Sequence, residues 1–375
     1  MADKLTVLLA AGGTGGHLFP AYALAEELNR RGALVDLVTD MRGDRYGADF
    51  PARAVHRIPS ATLTSKAPTA VARTSWTLTR GIGSAMKLLG QLKPDVVVGF
   101  GGYPAFPPLV AAKLRGIMTV IHEQNAVLGR ANRLLAKRVD VIATSFDKVK
   151  FLDGGLTAKA RFTGNPVRDQ VVRAADRVYR APVDGEPVKL LIFGGSQGAR
   201  YFSDALPDAL ALLPQKLKSR LDVTQQARDE DIERVRAAYA ASGIAAKVAP
   251  FFPSLPEIMG DAHLVVARAG ASTVAELTVI GRPSILVPLP HAVDNDQLHN
   301  AQRLEARGAA KAIAQDKLTP RIWAEEIEAL IGTPGRLAEA ASAAKALGRP
   351  DAVNTLANIV EELGGRRAML MQGVQ

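Results

Sequence analysis

Twice in this chain a short apolar run stops in a cluster of glycines and restarts as a helix, and few folds are compatible with that. The run LTVLLAA at residues 5–11 is followed by Gly12, Gly13, Thr14, Gly15, Gly16 and His17, and Pro20 leads into a helical pattern over 21–28. The run VKLLIF at 188–193 is followed by Gly194, Gly195, Ser196, Gln197 and Gly198, with a helical pattern from Ala199. Each reads as buried strand, tight turn and helix. Glycine lets the backbone approach a ligand closely, and the free N–H groups that open a helix favour an anion, typically a phosphate. His17 adds a side chain able to exchange protons near neutral pH. Further strands are expected at 33–39, 54–58, 96–100, 119–122, 139–144 and 161–163, and then at 222–225, 246–249, 264–267 and 284–287. Helical patterns alternate with them, which predicts α/β architecture with parallel sheets covered on both faces. Polar residues cluster where the strands end, the place where such sheets bind ligands.

A chain of 375 residues, 47% hydrophobic, suits two domains. The charged, proline-containing segment 174–187 is a candidate linker, and residues 352–371 form a helical tail expected to pack back on the first domain. The absence of cysteine removes disulfides and thiolate metal sites and is compatible with a reducing compartment. The apolar run 5–11 is weakly cationic in front and enters the glycine turn directly, so it is expected to be a strand rather than a secretory leader. No apolar run approaches the roughly 18 residues of a membrane span, so the chain is expected to be soluble or to rest on a membrane surface.

The net charge is +10, and its distribution matters more than its size. Residues 1–166 hold 22 Lys and Arg against 12 Asp and Glu, whereas residues 167–375 hold 25 of each. No acid lies between Asp49 and Asp95, a stretch that carries Arg53, Arg57, Lys66, Arg73, Arg80, Lys87 and Lys93. An anionic partner for the first half follows, nucleic acid or a lipid surface. A helix is expected from Pro68 to about residue 92. Arg73, Arg80 and Lys87 recur every seven residues along one side of it, with Trp76 close by, as in an interfacial helix. The competing reading is a surface helix whose Trp is tucked into the core, with Gly81 and Gly83 weakening it.

In order along the chain, GGTGGHLFPA, GFGGYPAFPPLVAA, HEQNAVLGRAN, GNPVR, GGSQGA, RAGASTVAEL and PHAVDNDQLHNA resemble the MurG family of glycosyltransferases, over about residues 4–348. One departure is Asn295-Asp296, where Asp-His is the more usual pair, while Gln297 and Asn300 keep their places. The resemblance implies the GT-B fold of family 28, two Rossmann-like domains with parallel sheets facing across a cleft. Residues 1–166 would form the acceptor and membrane side, and residues 167–349 the UDP-GlcNAc-binding domain. It implies inverting transfer of N-acetylglucosamine (GlcNAc) from UDP-GlcNAc to the 4-hydroxyl of the N-acetylmuramyl (MurNAc) sugar in undecaprenyl-pyrophosphoryl-MurNAc-pentapeptide. That is a step of peptidoglycan synthesis, and so of cell shape and division, at the cytoplasmic face of the inner membrane.

For the site, the resemblance implies that Glu276 accepts hydrogen bonds from the ribose hydroxyls and that backbone around Phe252 reads the uracil edge. Ser196 and Arg168 would face the diphosphate, and Ala271, Ser272, Thr273, Val274 and Ala275 would line the donor site. Gln297 would bond the sugar, with Thr14, Gly15, Gly16 and Asn125 closing over donor and acceptor. His17 is the first candidate for the base that deprotonates the acceptor hydroxyl, and Glu123 the second. Arg73, Trp76, Arg80 and Lys87 would touch an anionic membrane surface, each cation contributing roughly 1 kcal/mol.

No cofactor and no metal are expected. His291, Asp294, Asp296 and His299 resemble ligands only by residue type, and oriented N–H groups with Arg168 can stabilise the leaving diphosphate. Three alternatives remain. A UDP-N-acetylglucosamine 2-epimerase would share the donor contacts without a lipid acceptor. A dinucleotide oxidoreductase would use Asp40 on the ribose, but Leu18 stands where the third glycine of its fingerprint belongs, and no phosphate-loop Gly-Lys-Ser/Thr follows. A nucleic-acid module ranks last, since aromatics make up only 5% of residues and no RNA-binding signature occurs, so nucleic acid is not expected as a partner.

Overall fold

The computed structural model describes residues 4–12, 15–40, 50–61, 67–195 and 200–372. The chain divides into two units, one comprising Met1–Arg168 with Pro350–Gln375 and the other Asp169–Arg349. In the first unit the apolar runs become strands β1 (Thr6–Ala10), β2 (Leu34–Thr39), β3 (Val55–Arg57), β4 (Val96–Gly99), β5 (Met118–Glu123), β6 (Val141–Thr144) and β7 (Ala160–Phe162). They form one parallel sheet in the order β3-β2-β1-β4-β5-β6-β7, with Leu9 set between Leu37 and Val98. Alternation sends Val7, Leu9, Val96 and Val98 to one face, against Leu24, Leu28, Leu356 and Val360. Leu8, Ala10 and Val97 go to the other, against Ala85, Leu89 and Leu109. Both faces are covered, which is why these strands are apolar throughout. The order of connection reverses between β1 and β4, and the carboxyl ends of that pair form the crevice where open α/β sheets bind ligands.

The second unit repeats the plan. Strands β8 (Val188–Phe193), β9 (Leu221–Gln226), β10 (Ala245–Ala249), β11 (Leu264–Ala267), β12 (Ser284–Leu286) and β13 (Ala310–Ala312) form a parallel sheet in the order β10-β9-β8-β11-β12-β13. Its core gathers Leu190, Ile192, Val223, Val266, Phe202, Tyr239 and Trp323. The reversal lies between β8 and β11.

The helix Ala352–Gln372 belongs to the first unit. Arg31 holds it by donating to Glu361 (2.7 Å), Asn358 (2.6 Å) and Asn354 (3.2 Å). The helix Pro68–Leu92 runs through both of its early glycines without a break. A Cβ on Gly81 would lie 2.2 Å from the Pro59 carbonyl oxygen and 3.1 Å from Pro107, so this glycine lets the helix sit directly on its neighbours. The expected weakening by Gly81 is offset by this close packing. Among the described residues no helix is long and apolar enough to cross a membrane.

Candidate active site

The crevice between β1 and β4 is floored by glycine backbone. His17 lies in the first turn of the helix Gly15–Arg30, just past the end of β1. β4 runs out through Phe100 into Gly101 and Gly102, whose φ angles of 81° and 68° suit glycine alone. A Cβ on Gly101 would stand 3.3 Å from His17 Cε1, and one on Gly102 would stand 3.4 Å from Cδ2. The imidazole therefore lies against the backbone of this second glycine turn and stays partly exposed.

Behind it runs a chain of buried hydrogen bonds. His17 Nδ1 pairs with Gln124 Oε1 at 3.1 Å. Gln124 Nε2 pairs with His122 Nδ1 at 3.0 Å and donates to the His122 carbonyl at 3.0 Å. His122 Nε2 pairs with the Gly164 carbonyl at 3.0 Å. His122 and Gln124 have almost no exposed surface. Burial pushes His122 down to about 4, partly opposed by the bond to Gly164, with the nearby His17 lowering it further. His17 is also lowered, by desolvation first, against the raising effect of Gln124 and the Phe100 carbonyl. Both rings are neutral at physiological pH.

Glu123 turns the other way. Its Oε1 accepts from Asn125 N (3.0 Å) and Asn125 Nδ2 (3.4 Å), and its Oε2 from Gly129 N (2.8 Å) and Asn132 Nδ2 (2.8 Å). Burial raises this carboxyl, and the four donors act against that. With both oxygens taken by the loop that follows β5 and by Asn132 of the helix Arg130–Ala136, Glu123 is a clamp. This geometry speaks against the expectation that it is a second base, because no lone pair is left for a substrate proton.

Arg168 falls in the first unit, where its guanidinium stacks 4.3 Å over the ring of Phe19. Phe19 in turn lies against Gly15. Gly15, Gly16, His17 and Arg168 are thus gathered at one helix start, and Asn125 sits at the head of the loop beyond β5. Asn165 next to Arg168 is buried, and among the described residues neither end of its amide has a hydrogen-bond partner.

In the second unit, Gly270 leads from β11 into the helix Ala271–Ile280, whose first N–H groups receive no side-chain cap. Ala271, Ser272, Thr273, Val274, Ala275 and Glu276 form its first turns. Ser272 Oγ is buried with no partner among the described residues, and Glu276 is 7% exposed. Phe252 is buried in the loop after β10, while its neighbour Phe251 is exposed. Gln297 Oε1 accepts from Leu289 N at 3.0 Å, which fixes the side chain across its loop. Asp294 and Asn295 both take left-handed backbone there, φ 56° and 54°, a conformation Asn and Asp tolerate better than most residues. Arg268 bonds the carbonyls of Val287 and Pro288 and Gln315 Oε1, so it ties loops together.

Thr14 and Ser196 lie outside the described residues. Among those described, no group of three or more His, Asp or Glu is placed to hold a metal. Arg73, Trp76, Arg80 and Lys87 are all exposed on the helix Pro68–Leu92, and Trp76 keeps 67% of its surface. The core-facing alternative for Trp76 is thereby removed. Sequence reasoning missed His122, Gln124, Asn132 and Asn165 as site residues, although all lie inside or beside motifs it singled out. The available signal was the run of polar residues 122–125 at the end of an apolar strand, where burial forces every polar group to find a partner.

Two parallel-sheet Rossmann-like units, each with its connection order reversing beside a strand whose apolar run ends in glycines, make up the GT-B type of fold. The glycosyltransferase family 28 N-terminal domain matches residues 7–144, and the family 28 C-terminal domain residues 189–356. Curated relatives from Rhizobium leguminosarum bv. trifolii and Mesorhizobium japonicum are each 52% identical to the chain. The match covers 98% of both chains for the first, and 97% of this chain and 96% of the relative for the second. Both are named UDP-N-acetylglucosamine--N-acetylmuramyl-(pentapeptide) pyrophosphoryl-undecaprenol N-acetylglucosamine transferase. The solved MurG of Acinetobacter baumannii is 30% identical over 96% of this chain and 99% of its own, with a TM-score of 0.79. A UDP-GlcNAc 2-epimerase from Neisseria meningitidis shares the fold at a TM-score of 0.65 and 15% identity. The chain belongs to the MurG family of N-acetylglucosaminyltransferases, within glycosyltransferase family 28.

Proposed function

We propose that the protein transfers GlcNAc from UDP-GlcNAc to the 4-hydroxyl of MurNAc in undecaprenyl-pyrophosphoryl-MurNAc-pentapeptide, with inversion to a β-1,4 link. The carrying observation is the 52% identity, over nearly the whole of both chains, to relatives named for this reaction. His17, set on a glycine floor at the reversal point of the first sheet, supports it.

The second unit holds the donor. Glu276 accepts from the ribose hydroxyls, backbone at Phe252 reads the uracil, and Ser272 with the open N–H groups at Ala271–Thr273 meets the phosphates, with Val274 and Ala275 lining the donor site behind them. The amide nitrogen of Gln297 donates to the sugar, since its oxygen is already engaged. The first unit holds the acceptor through Gly15, Gly16 and Asn125. His17 takes the proton from the attacking hydroxyl as the new C–O bond forms at the anomeric carbon. The bond to the diphosphate breaks, and its electron pair leaves with UDP. Arg168 and the oriented N–H groups offset the charge that develops there. These steps call on no metal, so activity is expected to persist in a chelator, and its loss would contradict the metal-free reading. The helix Pro68–Leu92 lays Trp76 and its cations on anionic headgroups at the cytoplasmic face of the membrane, as a peripheral attachment.

The test is incubation with labelled UDP-GlcNAc and the lipid-linked acceptor. Label moving onto the prenyl-pyrophosphate sugar is the expected result. Label that only scrambles among UDP-sugars would mean epimerisation instead.

A further inference from the structure

We propose that Gln124 is a positioning residue for His17. With His122 and the Gly164 carbonyl it forms a one-directional hydrogen-bond relay that keeps the proton of His17 on Nδ1 and its lone pair on Nε2. The inference rests on reading His17 as the base.

The relay is read from its closed end. The Gly164 carbonyl can only accept, so the His122 nitrogen 3.0 Å away carries the proton and is Nε2–H. In a neutral ring, His122 Nδ1 is then an acceptor. The Gln124 amide meets that Nδ1 and the His122 carbonyl with the same atom, both at 3.0 Å. Two acceptors require the NH2 end there, which fixes the orientation of the amide. Gln124 therefore turns its oxygen to His17, 3.1 Å from Nδ1, and an amide oxygen only accepts. His17 Nδ1 must donate, which leaves Nε2 with the lone pair. Nε2 is also the edge that lies toward Gly102, at 3.5 Å from the place of its missing Cβ.

Among the described residues the charged and titratable groups around the imidazole are few. His122 stands behind Gln124, and Glu123 is turned into its loop. Arg168 stacks on Phe19, which lies in the same helix as His17, and Asp40 directly follows β2. The Phe100 carbonyl is a second acceptor close to the ring. A glutamine in this place orients the base without charging it, whereas a carboxylate would favour the imidazolium, so that Nε2 becomes the stronger base but less of it is free at the same pH.

Two measurements test this. Imidazole 15N–1H correlation spectra of the full chain, assigned with His17→Ala and His122→Gln, report tautomers directly. His17 as Nδ1–H and His122 as Nε2–H are expected, and His17 protonated on Nε2 overturns the relay. In the second, Gln124→Glu is expected to move the acid limb of the kcat/KM profile up by at least one pH unit, because an opposite charge favours the imidazolium. Gln124→Leu is expected to lower kcat at least tenfold, with the KM for UDP-GlcNAc within twofold, as expected for partial loss of a base worth roughly 10²–10⁴. An unmoved acid limb in Gln124→Glu counts against the relay. If His17→Ala keeps the native rate while the tautomers stand as stated, the base assignment fails and the relay survives. If His17→Ala is inactive and the tautomers are reversed, the relay alone fails.

Discussion

Glu123→Gln separates a clamp from a base more cleanly than any other single change. The carboxylate is 2% exposed and each of its oxygens takes two N–H donors. Glutamine has nearly the same shape but only one acceptor end. Whichever way the amide turns, two donors lose their acceptor and face an NH2 group instead. Hydrogen bonds to a charged group are worth about 1.5–3 kcal/mol each, so about 3–6 kcal/mol is lost. Part of this is regained because a buried charge disappears, the same burial that raises the Glu123 carboxyl, leaving a net destabilisation of about 2–4 kcal/mol. For a unit of this size each kcal/mol moves the midpoint by about 2–4 °C, so calorimetry is expected to show the first unit melting about 4–16 °C lower. Residual transfer at low temperature is expected to stay within tenfold of native. A base would behave in the opposite way, with native melting and kcat down roughly 10²–10⁴. That second pattern would refute the clamp and restore Glu123 as the proton acceptor.

Three other outcomes follow from the same structure. His122 is depressed to about 4 from an ordinary value of 6.5, so between those limits the unfolded chain binds a proton that the folded chain does not. The stability it contributes is complete above 6.5 and is lost as pH falls toward 4, by about 3 kcal/mol at 1.36 kcal/mol per unit. Urea unfolding across that range should show the slope in the native chain and a shallower one in His122→Gln, and equal slopes would disprove the attribution. Gly81→Ala places a methyl against the Pro59 carbonyl and should cost about 1–3 kcal/mol by forcing the helix Pro68–Leu92 outward, read as a lower unfolding midpoint. Arg73→Glu combined with Arg80→Glu should weaken binding to anionic vesicles at least tenfold, at roughly 1 kcal/mol per cation removed, while UDP affinity is unchanged. Unaltered vesicle binding would remove that helix from the membrane contact.

Much of the fold was legible because parallel strands buried on both faces are apolar at every position, so runs such as 188–193 stand out against the polar helices. The edge strand Ala310–Ala312 was not legible. It has three residues, one of them Lys311, and is recognisable only by its pairing with Ser284–Leu286. The helix Phe106–Leu114 starts three residues earlier than its apolar pattern suggests, because Pro107 and Pro108 fit a first turn whose N–H groups have no partner anyway. At the site, glycines and a histidine at a strand end announce themselves. The partner of that histidine does not, since Gln124 lies 107 residues away, and the polar run 122–125 at a strand end says that these groups need partners without saying which.

Residues 122–124 show why the relay and the clamp can share one strand end without sharing a function. Successive side chains on a strand point to opposite sides, so His122 and Gln124 face His17 together while Glu123 faces the loop. The alternation that patterns a hydrophobic core here distributes polar roles. The two systems meet at Asn132, whose Nδ2 lies 2.8 Å from Glu123 Oε2 and 3.4 Å from the His122 carbonyl. That carbonyl also accepts from Gln124. Loosening the loop therefore reaches the relay through one backbone oxygen, and only weakly. The base keeps its tautomer from a network buried well away from solvent, and the loop that carries Asn125 is held by a separate carboxylate.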